Sequence, residues 1–157
     1  GGAGRLEHES FGKFWQTVRQ GEPVQLGFRS EPIEGLVDAL RALHPEKGYY
    51  GGAGWANYVT TYLNDSNRLM CQLRRQLRPG ARAVVVIGNS IIQGIEFRVD
   101  QLLAHLGEEN GLRVEGIHVV RTKRVGTSII DSSVRNGDVN GHRETTQLYD
   151  AALILRK

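Results

Sequence analysis

The stretch Gly80–Leu106, GARAVVVIGNSIIQGIEFRVDQLLAHL, decides how this chain is read. Ala83 to Ile87 is a short, unbroken apolar run rich in β-branched residues. That composition predicts a strand covered on both faces. Gly88-Asn89-Ser90 follows with turn-forming residues, and an amphipathic helix is expected from Phe97 to Leu106. In open α/β sheets ligands bind at the carboxyl ends of strands. Asn89 and Ser90 therefore stand where substrate contact is expected. The plainer alternative is that Gly88-Asn89-Ser90 only turns the chain.

Outward from this stretch the pattern stays α/β. Phe11, Phe14, Trp15 and Val18 recur at helical spacing within Leu6 to Arg19. Ser30 can cap a second helix, with Pro32 in its first turn and Ile33, Leu36, Val37, Leu40 and Leu43 on one face. A glycine-rich connector, Gly48 to Gly54, leads into a long helix expected from Trp55 to Leu77, which Arg78-Pro79-Gly80 stops. Beyond the central stretch, strands are expected from Leu112 to about Arg121 and from Leu148 to Arg156. The segment between them, Thr122 to Gln147, is polar and long for a compact domain, which marks functional loops.

Composition narrows the class. With 157 residues, 39% hydrophobic and 24% charged, the chain has enough apolar material for a core. The net charge of +3 is too mild to establish nucleic-acid binding alone. One cysteine, Cys71, excludes an internal disulfide and fits a reducing compartment. No apolar run is long enough to span a bilayer and no secretory leader opens the chain, so no membrane partner and a cytoplasmic location are expected. Gly1 to Gly4 reads as a flexible tail or expression remnant, 5–54 as a helical segment with its glycine-rich connector, and 55–157 as the main α/β domain.

The wording of the central stretch carries a resemblance. Leu77-Arg78-Pro79-Gly80, the apolar strand Ala83 to Ile87, and then Gly88, Asn89, Ser90, Ile92, Gln93, Gly94 and Glu96 resemble the second half of the DNA methyltransferases that modify exocyclic amino groups of adenine or cytosine. Gly111-Leu112-Arg113-Val114, the basic segment Val120 to Val125 and the closing Tyr149 to Lys157 continue it in order. The resemblance covers roughly Trp55 to Lys157. It implies the C-terminal half of a Rossmann-like class I methyltransferase fold: long helices, a central parallel strand and a terminal antiparallel strand pair. It also implies S-adenosylmethionine as methyl donor and DNA as partner, with the base flipped out to reach the donor. Asn89 and Ser90 would line the cleft, Gly94 would allow close backbone approach, and Arg121, Lys123, Arg124, Arg135 and Arg143 would touch phosphates. The alternative for these cations is an ordinary solvated loop.

The chain departs from that family in two places. No strand is followed by the glycine-rich turn that holds the methyl donor, and the four prolines, Pro23, Pro32, Pro45 and Pro79, form no Pro-Pro-aromatic catalytic motif. No residue can be named as catalytic, and a second chain or an N-terminal half carrying those motifs is expected as a partner. A homo-oligomer is the other way to complete such a site. Two further readings compete. One is a non-catalytic DNA-binding or scaffold subunit that completes a partner methyltransferase, with unpaired strand edges and an open apolar face. The other is a GDSL-type ester hydrolase using Ser90, weakened by Asn89 in place of aspartate and by the spacing of Asp138 and His142. The patch GYYGGAGW lacks the Gly-Lys-Ser/Thr ending of a phosphate loop. Its Tyr49, Tyr50 and Trp55 read as core packing or as base-stacking groups. His8, His44, His105, His118 and His142 show no zinc-ligand spacing, so no metal is expected.

Overall fold

The computed structural model of the chain describes residues 11–123 and 147–157. The elements are α1 (Trp15–Val18), α2 (Glu31–Arg41), a 3-10 segment (Pro45–Tyr50), α3 (Gly52–Gln76), β1 (Arg82–Gly88), β2 (Ser90–Ile92), β3 (Ile95–Phe97), α4 (Val99–Glu109), β4 (Arg113–Lys123) and β5 (Leu148–Arg156). They form two compact units, Gly1–Arg68 and Leu69–Lys157, with the division inside α3. Among the described residues no helix is long and apolar enough to cross a membrane.

In the first unit α2 runs as its apolar spacing predicts, burying Ile33, Val37 and Leu40. The Ser30 amide donates to Glu34 Oε1 at 3.3 Å, and the Glu34 amide donates back to the Ser30 carbonyl at 2.8 Å. Helix α3 begins at Gly52, three residues before the expected start at Trp55. Crowding explains the glycines there. A Cβ on Gly52 would stand 1.9 Å from the Leu40 carbonyl oxygen, and one on Gly54 would stand 2.0 Å from that of Tyr49. The Gly52 amide donates to the Leu43 carbonyl at 2.8 Å. Carbonyl oxygens thus surround this helix start, a surrounding that disfavours an anion.

The second unit is built on a three-stranded sheet in the order β1-β5-β4. The expected central parallel strand is not what the sheet contains. Strand β5 lies in the middle and runs antiparallel to both neighbours. Strands β1 and β4 therefore run parallel to each other, linked through α4, and β5 fills the one-strand gap between them. The expected antiparallel pairing of the last two strands is present, from Arg113↔Arg156 to Lys123↔Leu148, with bulges at Val114/Gly116 and Val119/Arg121. The secondary structure is thus mixed helix and antiparallel sheet.

One face of the sheet is filled by Ala151, Leu153 and Leu155, each fully buried. Helix α4 buries Leu103 and Leu106, and its Gly107 lies so close to Leu155 that a Cβ would meet that side chain at 2.9 Å. Among the described residues the other face is open. Val84 is 61% and Val86 62% exposed, so the expectation of a strand covered on both sides fails for β1. The residue types suit burial on both faces, but alternation along a strand puts Val84 and Val86 on the side away from α4. A second correction follows Ser90. The chain does not pass directly into a helix but forms the β2–β3 hairpin, with Ser90↔Phe97 and Ile92↔Ile95 paired. Gln93 and Gly94 turn it with φ of 52° and 81°, the two positive values of a type I′ hairpin turn. Phe97 is thereby used in the hairpin, and α4 starts at Val99 rather than Phe97.

Candidate functional site at the carboxyl end of β1

The end of β1, the hairpin strand β3 and the start of β5 meet at Asn89. Asn89 is only 9% exposed, and every side-chain polar group it carries is used. Its Oδ1 accepts from the Tyr149 amide at 2.8 Å, and its Nδ2 donates to Glu96 Oε1 and to the Gln147 carbonyl, each at 3.0 Å. Its own amide donates to the Tyr149 carbonyl at 3.3 Å. Asn89 thus extends the β1–β5 ladder by one side chain and ties the hairpin to it. With its hydrogen-bonding capacity occupied, Asn89 is a clamp that shapes this end of the sheet.

Tyr149 carries the cluster onward. Its hydroxyl donates to the Asp100 carboxylate, with Oδ1 at 3.2 Å and Oδ2 at 3.1 Å, and accepts from Arg98 Nε at 3.4 Å. Asp100 sits in the first turn of α4 and is 2% exposed, where the helix N-terminus favours a negative group. Burial pushes the Tyr149 phenol above its ordinary range, and the Asp100 carboxylate adds to that against the lowering effect of Arg98. The hydrogen bond to Tyr149 in turn raises the Arg98 guanidinium. With its pKa raised, the phenol is protonated at neutral pH and can donate. Asp100, Arg98 and Tyr149 escaped the sequence reading because they lie 51 and 49 positions apart in pairs and share no motif.

The other expected site residues are placed as follows. Ser90 is the first residue of β2 and pairs with Phe97. Among the described residues its hydroxyl has no histidine or carboxylate partner, and Asp138 and His142 lie outside them. Gly94 makes no close backbone approach, since a Cβ there would meet nothing within 4 Å; its glycine is explained by the positive φ of the turn. Arg121 is tied to Asp150 Oδ2 through Nε at 3.0 Å and Nη2 at 2.6 Å, which offsets its charge. Lys123 closes β4 opposite Leu148. Arg124, Arg135 and Arg143 lie outside the described residues. No group of three or more metal-ligating side chains occurs among the described residues, and Cys71 is free and half-buried.

The first unit holds its own polar centre, around Asn57. This residue is 2% exposed. Its Oδ1 accepts from the Val24 amide and from Arg41 Nη1, each at 3.0 Å, and its Nδ2 donates to the carbonyls of Val18, Gly21 and Glu22 at 3.2–3.3 Å. Arg41, so held, borders a cleft of about 520 Å³ with Arg29, Glu34 and Asp38. The aromatics expected in the core or against a base divide. Trp55 is half-buried and stacks on Trp15 at 4.8 Å, while Tyr49 and Tyr50 are 40% and 52% exposed. Arg19 lies over Trp15 at 4.5 Å and Tyr50 at 4.6 Å, the distances of cation–π contacts.

The fold class is a mixed α/β chain with an antiparallel three-stranded sheet and a polar cluster at one end of that sheet. No protein-family profile, no curated protein and no solved structure matches the chain.

Proposed function

We propose that the chain is the C-terminal part of a Rossmann-like methyltransferase that moves a methyl group from S-adenosylmethionine to an amino nitrogen of adenine or cytosine in DNA. The observation that carries the reading is the sheet edge. The last two strands pair antiparallel, and Asn89 follows the carboxyl end of β1 before Ser90 opens β2, an arrangement that supports the resemblance. The polar cluster of Asn89, Arg98, Asp100 and Tyr149 gathers at that same end, where α/β sheets receive ligands.

The residues present do not fit the methyl donor on their own. The glycines at the start of α3 are crowded by carbonyl oxygens, and Asn89 is saturated by the fold. No cofactor step is therefore derived from this chain. In the proposed arrangement it shapes one wall of the cleft and faces DNA, with Lys123 at the same end. A second polypeptide segment supplies the glycine-rich turn and the catalytic motif.

A non-catalytic DNA-binding subunit is the second reading. It is favoured by the same saturation of Asn89 and by the unpaired outer edge of β1 among the described residues.

Calorimetric titration of the folded chain with S-adenosylmethionine tests the proposal. No binding is expected from this chain alone. Micromolar binding would mean that a complete donor pocket exists here, and the reading as a completed half would fail.

A further inference from the structure

The open face of the three-stranded sheet has a defined composition. Register places Val84 beside Ile154 and Val86 beside Ala152 at its centre. The valines are 61% and 62% exposed. Single exposed apolar side chains need no explanation, but adjacent ones on paired strands form a patch of the kind that marks an interaction surface. One end of the patch is strongly basic. Arg82, Arg113 and Arg156 all converge on the one carboxylate of Glu115, with Arg113 at 3.5 Å and Arg156 at 3.3 Å. Arg82 most strongly, and then Arg156, hold the Glu115 carboxyl below its ordinary range. Two positive charges in excess remain at that end. At the other end Arg121 and Asp150 neutralise each other.

We infer that this face docks an amphipathic helix from another polypeptide, with acidic residues at the end that lies over Arg82, Arg113 and Arg156. Dimensions select a helix. Three strand axes span about 10 Å, close to the roughly 10–12 Å diameter of one helix with its side chains. Strand β1 has 7 residues, a length of roughly 23 Å at 3.3 Å per residue, matched by a helix of about 15 residues. The opposite face shows the same solution, since the 11-residue α4 lies against it with Gly107 at Leu155. Charge selects the partner's chemistry: an acidic helix end offsets the unshared arginine charge, and a basic one is repelled. A second copy of this chain is the poorer fit: stacked with strands parallel it brings both arginine ends together, and stacked antiparallel it sets each arginine end over the neutral Arg121–Asp150 end, so neither offsets the excess charge.

The inference does not depend on the methyltransferase reading, and its test uses neither DNA nor S-adenosylmethionine. The probe is a lactam-stapled, fluorescein-labelled peptide of about 15 residues, with leucines along one face and two glutamates at one end. Its binding to the full chain is read by fluorescence anisotropy. A twin peptide carries lysines in place of the glutamates. The protein is compared with Val84→Thr/Val86→Thr, which keeps β-branched side chains at two exposed positions and so keeps the fold, as a melt checks.

The glutamate peptide is expected to bind at least about tenfold more tightly than the lysine peptide. It is expected to lose at least about tenfold on the threonine variant. Equal affinity for both peptides, unchanged affinity for the variant, or no binding at all overturns the inference. So does a dimer in sedimentation that the threonine variant abolishes, because the occupant is then a second copy.

Discussion

Replacing Asn89 by alanine removes three side-chain hydrogen bonds at once: from the Tyr149 amide, to Glu96 and to the Gln147 carbonyl. A typical intramolecular hydrogen bond contributes about 1 kcal/mol net, and a buried donor left without a partner costs about 1–3 kcal/mol. The contact with Glu96 counts least, because Glu96 is exposed. The Tyr149 amide counts most, because it is partly buried just beyond the last pair of the β1–β5 ladder and loses the Asn89 acceptor. The sum is a loss of about 3 kcal/mol. For a chain of this size each kcal/mol lowers Tm by about 2–4 °C, so Asn89→Ala is expected to melt about 6–12 °C lower. The assay is a circular-dichroism melt with a matching urea titration, read on the transition that involves the sheet. Ser90→Ala is the control, expected within about 0.5 kcal/mol of the parent because no buried network depends on that hydroxyl. If Asn89→Ala loses less than about 1 kcal/mol, or if Ser90→Ala costs as much, the reading of Asn89 as the clamp of this end of the sheet is wrong.

The Glu115 carboxyl is held below its ordinary range by its arginines. The depressed value in the folded state means that its contribution is present above the ordinary glutamate range and is lost as pH falls below it. Acid titration of stability should therefore fall less steeply for Glu115→Gln than for the parent, and identical profiles would count against the arginine cluster. The two glycines Gly52 and Gly35 should respond with opposite signs. Gly52→Ala drives a Cβ to 1.9 Å from a backbone carbonyl and should cost at least about 1–3 kcal/mol in a urea titration. Gly35→Ala meets nothing within 4 Å inside a helix and should stabilise by up to about 1 kcal/mol. Tyr149→Phe removes the phenol that caps the buried Asp100 carboxylate and should lower stability by about 1–3 kcal/mol in the same titration.

Much of the architecture was legible because it rests on long periodic segments. Strand β5 has the bounds read from Leu148 to Arg156, and α2 buries Ile33, Val37 and Leu40 of the apolar face its spacing selects, with Leu36 and Leu43 half-buried. The expected start of α3 lies three residues late because glycine disfavours helix on propensity, while here its missing Cβ is what lets the helix start pack. The β2–β3 hairpin is not legible from periodicity, since its strands are three residues each, too short for alternation to show. Its signal was present in Gln93-Gly94, a turn pair read instead as part of a motif. The open face of β1 could not be read from composition, because a run such as Ala83 to Ile87 is apolar on both faces whether or not anything covers the second. The sequence marks Asn89 as a site residue through its position after a strand and through the resemblance. The network that occupies it, with Asp100 and Tyr149, depends on pairings across about 50 residues that no local pattern encodes.

The most direct test of the account is the binding of duplex DNA by the folded chain, followed by fluorescence anisotropy across salt concentrations. Binding is expected at low salt and weakens linearly on a log–log plot as salt rises, with a smaller slope for Lys123→Gln. A folded chain that shows no binding to duplex DNA at low salt would contradict it, and with it both the methyltransferase reading and its non-catalytic alternative.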